Sequence, residues 1–268
     1  MERFTGGNDM TVTIINMKST SGGPPNWNNF RSNDTSPINL VSVLDGSSTG
    51  WTAAYDPGPN DVINAIGSNL AGTGDANWYL PAAADGHANS STSVWTNVKI
   101  AVPDGTYNIR GFSSAPHSGR ITAWRVNGGT IQTLDNSNGT GPQNSNDVRF
   151  LGVSPSAGII EVEYRKADSS SGQAYVNAIY IEDVPSPTVT TTDTLQPGES
   201  FTLTATNYAS APVSPATFTD SEGSTITVPV TISGSGPYTA VGTMPTLAEA
   251  VTAGTSLLFG DVTIELST

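Results

Sequence analysis

The chain has 268 residues, no cysteine and a formal net charge of −13 carried by only 12% charged residues. That length suits two ordinary domains, and the absence of cysteine removes disulfides and thiolate metal sites. An acidic chain without clustered Lys and Arg argues against a nucleic-acid partner, and without a run of 18 apolar residues no membrane insertion is expected.

Residues 1–9 read as a polar N-terminal arm with no basic start, apolar stretch or cleavage site, which leads us to expect a complete chain made in the cytosol; a mature chain with its leader removed is the alternative. From there on, short β-branched or alternating runs follow one another, separated by Gly, Asn, Asp, Ser and Pro. They include Thr11 to Ile15, Val94 to Val102, Gly105 to Phe112, Arg120 to Val126 and Gly158 to Tyr164. In the last run Ile160, Val162 and Tyr164 share one face and Ile159, Glu161 and Glu163 the other, the pattern of a half-solvated antiparallel strand. The fold class expected is all-β, two consecutive antiparallel β-sandwiches.

Pro185 and Pro187 stop a strand and stiffen a connector, so the first domain covers 10–184, the linker 185–188 and the second domain 189–268. The second domain repeats short threonine-rich strands at the spacing of a small immunoglobulin-like sandwich, with Leu195-Gln196-Pro197-Gly198-Glu199 as its sharpest turn. Thr246 to Val251 is a weak helix candidate or an irregular connection. All ten Lys and Arg lie between Arg3 and Lys166, and the stretch after Pro185 holds seven acids and no base.

Four segments carry a resemblance in the first domain: Pro25 to Phe30, Leu44 to Trp51, Val102-Pro103-Asp104-Gly105-Thr106-Tyr107-Asn108-Ile109, and Gly172 to Glu182. Together they resemble the galactose-binding-like and malectin-like jelly rolls that occur as carbohydrate-binding modules. The second domain, around Leu195 to Leu203 and Ser233 to Ala240, resembles Ig-like modules of tailed-bacteriophage virion proteins and of bacterial surface proteins. The combination implies a jelly roll followed by an Ig-like sandwich, in a non-enzymatic virion protein: a capsid decoration, tail fibre or tail-accessory subunit. Its partners would be virion capsid or tail proteins and a host-surface glycan. Such a subunit self-associates on symmetric sites and reaches the virion surface by lysis, without a signal peptide. The alternative is a free extracellular carbohydrate-binding protein, or an accessory fragment of a secreted polysaccharide-degrading enzyme.

Catalytic motifs are not evident. His87 and His117 are expected to be exposed loop residues, since no metal or catalytic spacing surrounds them. Ser233-Gly234-Ser235-Gly236 lacks the spacing of a nucleophile elbow and reads as a hairpin turn. Glu161 with Glu163, and Glu182 with Asp183, read as solvated strand charge rather than a glycosidase pair. No cofactor is expected. Asp34, Asp45, Asp56 and Asp61 lie in loops whose oxygen atoms suit calcium, and the resembled families often hold a structural calcium; turn chemistry is the expected role and calcium the alternative.

The five tryptophans all fall in the first domain. A sugar ring needs a flat aromatic flanked by amides or carboxylates. Trp95 and Trp124 lie in strand-like runs and are expected in the core. Trp27 with Asn28 and Asn29, Trp51, and Trp78 with Asp75, Asn77 and Tyr79 sit in loop-like settings and are the candidate glycan or subunit contacts, with packing as the even alternative for the three tryptophans.

Overall fold

The structure is a computed structural model that describes residues 10–17, 24–30, 36–56, 62–65, 86–90, 93–114, 119–135, 147–170, 172–191, 196–208, 211–219, 223–235, 237–245, 256–259 and 262–265. The chain is all-β, and it divides into two compact units, Met1–Val184 and Pro185–Thr268.

Unit 1 contains β1 (Val12–Met17), β2 (Asn28–Phe30), β3 (Ile38–Val41), β4 (Ser48–Asp56), β5 (Val62–Ala65), β6 (Gly86–Ser90) and β7 (Thr96–Ala101). These are followed by β8 (Thr106–Phe112), β9 (Ile121–Val126), β10 (Gln132–Asp135), β11 (Val148–Val153), β12 (Ile159–Lys166), β13 (Ala174–Val176) and β14 (Ala178–Val184). One sheet has the order β11-β8-β14-β1-β2, the second β10-β9-β12-β7-β4-β3, and a small third sheet β13-β6-β5. Every pairing in unit 1 that the described residues make is antiparallel except that of β1 with β2.

The two large sheets pack face to face because their strands alternate in hydropathy. Ile15, Ile109, Ile179 and Ile181 from the first meet Val98, Ile100, Val162 and Trp124 from the second in one buried cluster. The alternation read in β12 holds: Ile160, Val162 and Tyr164 are buried inward. The packing is close enough to require glycine in β8, where a Cβ on Gly111 would come within 2.8 Å of Trp124 Cζ3 and of Val148 Cγ2. The β9–β10 turn is built on Asn127 and Gly128, both left-handed at φ 49° and 68°, the dipeptide that a tight hairpin with primed geometry favours. Tyr107 donates its hydroxyl to the Pro103 carbonyl at 2.9 Å and so pins the Pro-Asp-Gly turn ahead of β8.

Unit 2 contains β15 (Thr188–Thr190), β16 (Ser200–Thr206), β17 (Ala216–Thr219), β18 (Thr225–Val228), β19 (Val230–Ser233), β20 (Tyr238–Thr243), β21 (Ser256–Phe259) and β22 (Val262–Glu265). They form a second sandwich from sheets β15-β16-β20-β19 and β18-β17-β21-β22. In β16, Phe201, Leu203 and Ala205 face inward while Ser200, Thr202 and Thr204 face water. Phe201 meets Phe218 of the other sheet edge-on, 5.8 Å between ring centres. Pro229 separates β18 from β19: Val228 pairs with Ala216 in one sheet and Val230 with Gly242 in the other. A residue with no N–H fits the step where the chain leaves one ladder for the next. The helix candidate at Thr246 to Val251 lies outside the described residues.

Candidate ligand-binding site

Several residues expected to contact a ligand serve the fold instead. Trp51 is 4% exposed and stands edge-on to Tyr107 at 5.5 Å, inside the core of unit 1. Trp27 is 9% exposed, so neither tryptophan offers an open ring face. Asn28 is buried, and its carboxamide ties the two large sheets together. Its Nδ2 donates to Thr13 Oγ1 at 2.7 Å and to the Ile14 and Val41 carbonyls at 3.1 Å, while its Oδ1 accepts from Val41 N–H at 2.9 Å. Asn29 accepts from Asn16 Nδ2 at 3.0 Å and donates to the Trp27 carbonyl at 3.4 Å. Their position in a short strand, rather than in a binding loop, explains these roles.

Asp45 holds its own turn. It accepts from Ser47 N–H at 2.9 Å and from Ser47 Oγ–H at 2.7 Å, and these bonds hold its carboxyl below the usual range. Asp56 lies 3.9 Å from Lys99 Nζ. Among the described residues, no group of three or more His, Cys, Asp and Glu is placed to hold a metal ion. Asp34, Asp61, Asp75, Asn77, Trp78, Tyr79 and His117 lie outside the described residues, and His87 falls in β6, where only the backbone is described.

Trp124 is fully buried, as its strand context suggests, but Trp95 is not a core residue. It precedes β7 in the same parity as Asn97 and Lys99, whereas Thr96, Val98 and Ile100 point into the core. Parity therefore places Trp95 on the outer face of the six-stranded sheet, partly exposed. The signal was present in the sequence as the alternation of Asn97, Val98, Lys99 and Ile100; a strand-like neighbourhood alone does not say which face a residue takes.

Around Trp95 the register assembles a charged platform. Arg125 of β9, Glu163 of β12, Asn97 of β7 and Asp56 of β4 stand in one row across four strands. Glu161 and Lys99 pair in a parallel row, 3.7 Å apart at their charged atoms. The Arg125 guanidinium lies 4.1 Å from the centre of the Trp95 ring and that of Arg165 4.9 Å. A guanidinium over an indole is held by the ring quadrupole, an attraction of about 0.5–2 kcal/mol according to how dry the site is. Glu163 fixes Arg125 through Nε at 3.0 Å and Nη2 at 2.6 Å, and also accepts from Gly128 N–H at 2.9 Å. Arg165 Nη1 donates to Asp168 Oδ1 at 2.9 Å, and this bond holds the Asp168 carboxyl below its usual range. The face thus combines an apolar ring, oriented cationic donors and carboxylates within a few residues' span. Among the described residues it holds no nucleophile and base in contact with each other.

A concavity of about 520 Å³ opens beside the β3–β4 turn, lined by Met10, Thr11, Ser42, Leu44, Asp45 and Thr49 among others. Its polar groups are mostly engaged with their own turn: Thr49 Oγ1 donates to the Leu40 carbonyl and Asp45 holds Ser47.

No family model matches the chain, and no curated protein matches it. Among solved structures it is similar to a calcium-binding mutant of Bacteroides uniformis beta-glucuronidase 2, at 13% identity and a TM-score of 0.39, over 65% of this chain and 18% of that one. It is also similar to TmCBM61 in complex with beta-1,4-galactotriose, at 13% identity and a TM-score of 0.29, over 50% of this chain and 88% of the other. A DUF4785 family protein from Legionella pneumophila aligns over 93% of this chain and 68% of its own, at 13% identity and a TM-score of 0.23. Likeness at this level does not transfer a ligand or an activity.

Proposed function

We propose that unit 1 is a non-enzymatic carbohydrate-binding module and that its ligand lies on the outer face of the six-stranded sheet. The observation that carries the reading is Trp95. It is a tryptophan kept on a charged sheet face, partly exposed, with two guanidiniums over its ring and the Glu163 and Asn97 positions beside it. Sugars present apolar C–H faces bordered by hydroxyls, which the part of the Trp95 side chain left exposed beside the guanidiniums and the fixed donors and acceptors around it complement. The carrier we propose is a tailed-phage virion, as a decoration, fibre or tail-accessory subunit. Its support is the sequence resemblance of Leu195 to Leu203 and Ser233 to Ala240 to virion Ig-like modules.

A glycan array followed by calorimetry tests the module. Retention of a defined oligosaccharide by the intact chain, lost in Trp95→Ala and kept in part by Trp95→Phe, is the expected result. Retention that is unchanged in Trp95→Ala would move the ligand elsewhere, and failure to retain any sugar would remove the reading. Size-resolved mass of the full chain tests the carrier, for which a symmetric oligomer is expected.

A further inference from the structure

We infer that the sugar taken by this face carries a carboxylate, received by Arg165 together with Arg125. The inference rests on the carbohydrate-binding reading above and names its substrate class.

Hydrogen-bond capacity around Trp95 is left over mainly on the donor side, although among the described residues the buried Asn97 Oδ1 is also without a partner. The Glu163 carboxylate is occupied by three donors, two from Arg125 and one from Gly128. On the donor side, Arg125 Nη1 and Arg165 Nη2 have no partner among the described residues, and Arg165 Nε is buried with none. A buried N–H without an acceptor is costly, so the unused capacity calls for an acceptor.

Charge points the same way. The Arg165 side chain is 16% exposed while its counter-ion Asp168 is 81% exposed. A pair between a mostly buried cation and a carboxylate in water is weakly held and screened, so Arg165 stays available to a second anion. Arg125, by contrast, is neutralised by a carboxylate that is itself nearly buried. Stacking on Trp95 restricts both guanidiniums before a ligand arrives, and a restricted planar fork suits a planar oxyanion better than a single hydroxyl. All ten Lys and Arg lie in unit 1, so this is also the part of an acidic chain where an anionic sugar meets least repulsion.

The test uses the full chain and a panel of hexuronate oligosaccharides, each beside its carboxyl-reduced counterpart, which keeps linkage and ring and removes only the charge. Binding is measured by calorimetry at low and at raised salt, for the native chain, Arg165→Gln and Arg165→Lys, with a melting curve for each variant. The expected result is one uronate bound about tenfold or more tighter than its reduced counterpart. That preference should shrink as salt rises, vanish in Arg165→Gln and survive in part in Arg165→Lys. If Arg165→Gln does not fold, the salt and carboxyl-reduction arms on the native chain still decide. A reduced oligosaccharide bound as tightly as its uronate overturns this inference and leaves the carbohydrate reading standing. Failure of every uronate and every reduced sugar to bind overturns both.

Discussion

The Arg125 guanidinium meets the Glu163 carboxylate side-on, Nε to Oε2 at 3.0 Å and Nη2 to Oε1 at 2.6 Å. Glu163 belongs to the solvent-side parity of β12, yet it is 6% exposed. Its burial is made by its partners, Arg125 from the neighbouring strand and the Gly128 amide from the β9–β10 turn.

Removing one member of this pair is expected to be worse than losing an exposed ion pair. In Arg125→Ala the carboxylate loses two of its three donors together with part of its cover, an expected cost of about 1–3 kcal/mol. Glu163→Gln keeps the shape and is expected to destabilise by less. Urea unfolding followed by tryptophan fluorescence reads unit 1 alone, since all five tryptophans lie there. A midpoint unchanged in Arg125→Ala would mean that the pair is solvated in solution.

Asn28 acts as a clamp between sheets. Asn28→Ala leaves the Val41 N–H without its side-chain acceptor and takes a donor from the Ile14 and Val41 carbonyls, the latter still accepting from Thr13 Oγ1, for an expected loss of about 2 kcal/mol. Asn28→Asp is expected to be at least as damaging, because an acceptor-only group then faces the carbonyls of Ile14 and Val41. Comparable midpoints for native chain and Asn28→Asp would show that the clamp is not formed.

The strands were legible because each is a local hydropathy alternation: the runs at Thr11 to Ile15, Val94 to Val102, Gly105 to Phe112, Arg120 to Val126 and Gly158 to Tyr164 coincide with β1, β7, β8, β9 and β12 to within a few residues at their ends. The two compact units meet between Val184 and Pro185, and a proline has no N–H to donate to a ladder there. The roles of individual polar and aromatic residues were not legible. Asn28 reads as a ligand contact beside Trp27 because nothing in its neighbourhood announces that Thr13 and Val41, from other strands, will surround it. The platform was hidden by the same non-locality. Arg125, Glu163, Asn97 and Asp56 come from four strands and become neighbours only through register.

Trp51 and Trp95 are expected to separate stability from binding. Trp51 packs on Tyr107 in the core, so Trp51→Ala is expected to destabilise unit 1 by about 3–5 kcal/mol. Trp95→Ala removes a partly exposed ring and is expected to shift the midpoint by well under half of that while abolishing sugar retention. Paired unfolding and binding measurements on the two variants check this. A larger loss of stability in Trp95→Ala than in Trp51→Ala would reverse their assignments.

Tyr180 sets an expectation at alkaline pH. Burial, then its 2.7 Å hydrogen bond to Glu182 Oε2 and the charge of that carboxylate, push its phenol well above the ordinary value of 10.0, against a smaller opposing pull from Arg110. A phenol whose folded pKa is raised favours the folded state fully below the unfolded value, and that contribution drains away as pH rises through the folded value. Urea midpoints are therefore expected to hold steady to about pH 9.5 and to fall above about pH 10. Tyr107, in the same unit, is raised as well, by burial first, so Tyr180→Phe should remove only part of the alkaline slope. Near-ultraviolet absorbance of tyrosinate, followed alongside unfolding, checks the order of events. Ionisation of Tyr180 well before unit 1 unfolds would mean that the Glu182 bond and the burial around it are not maintained in solution.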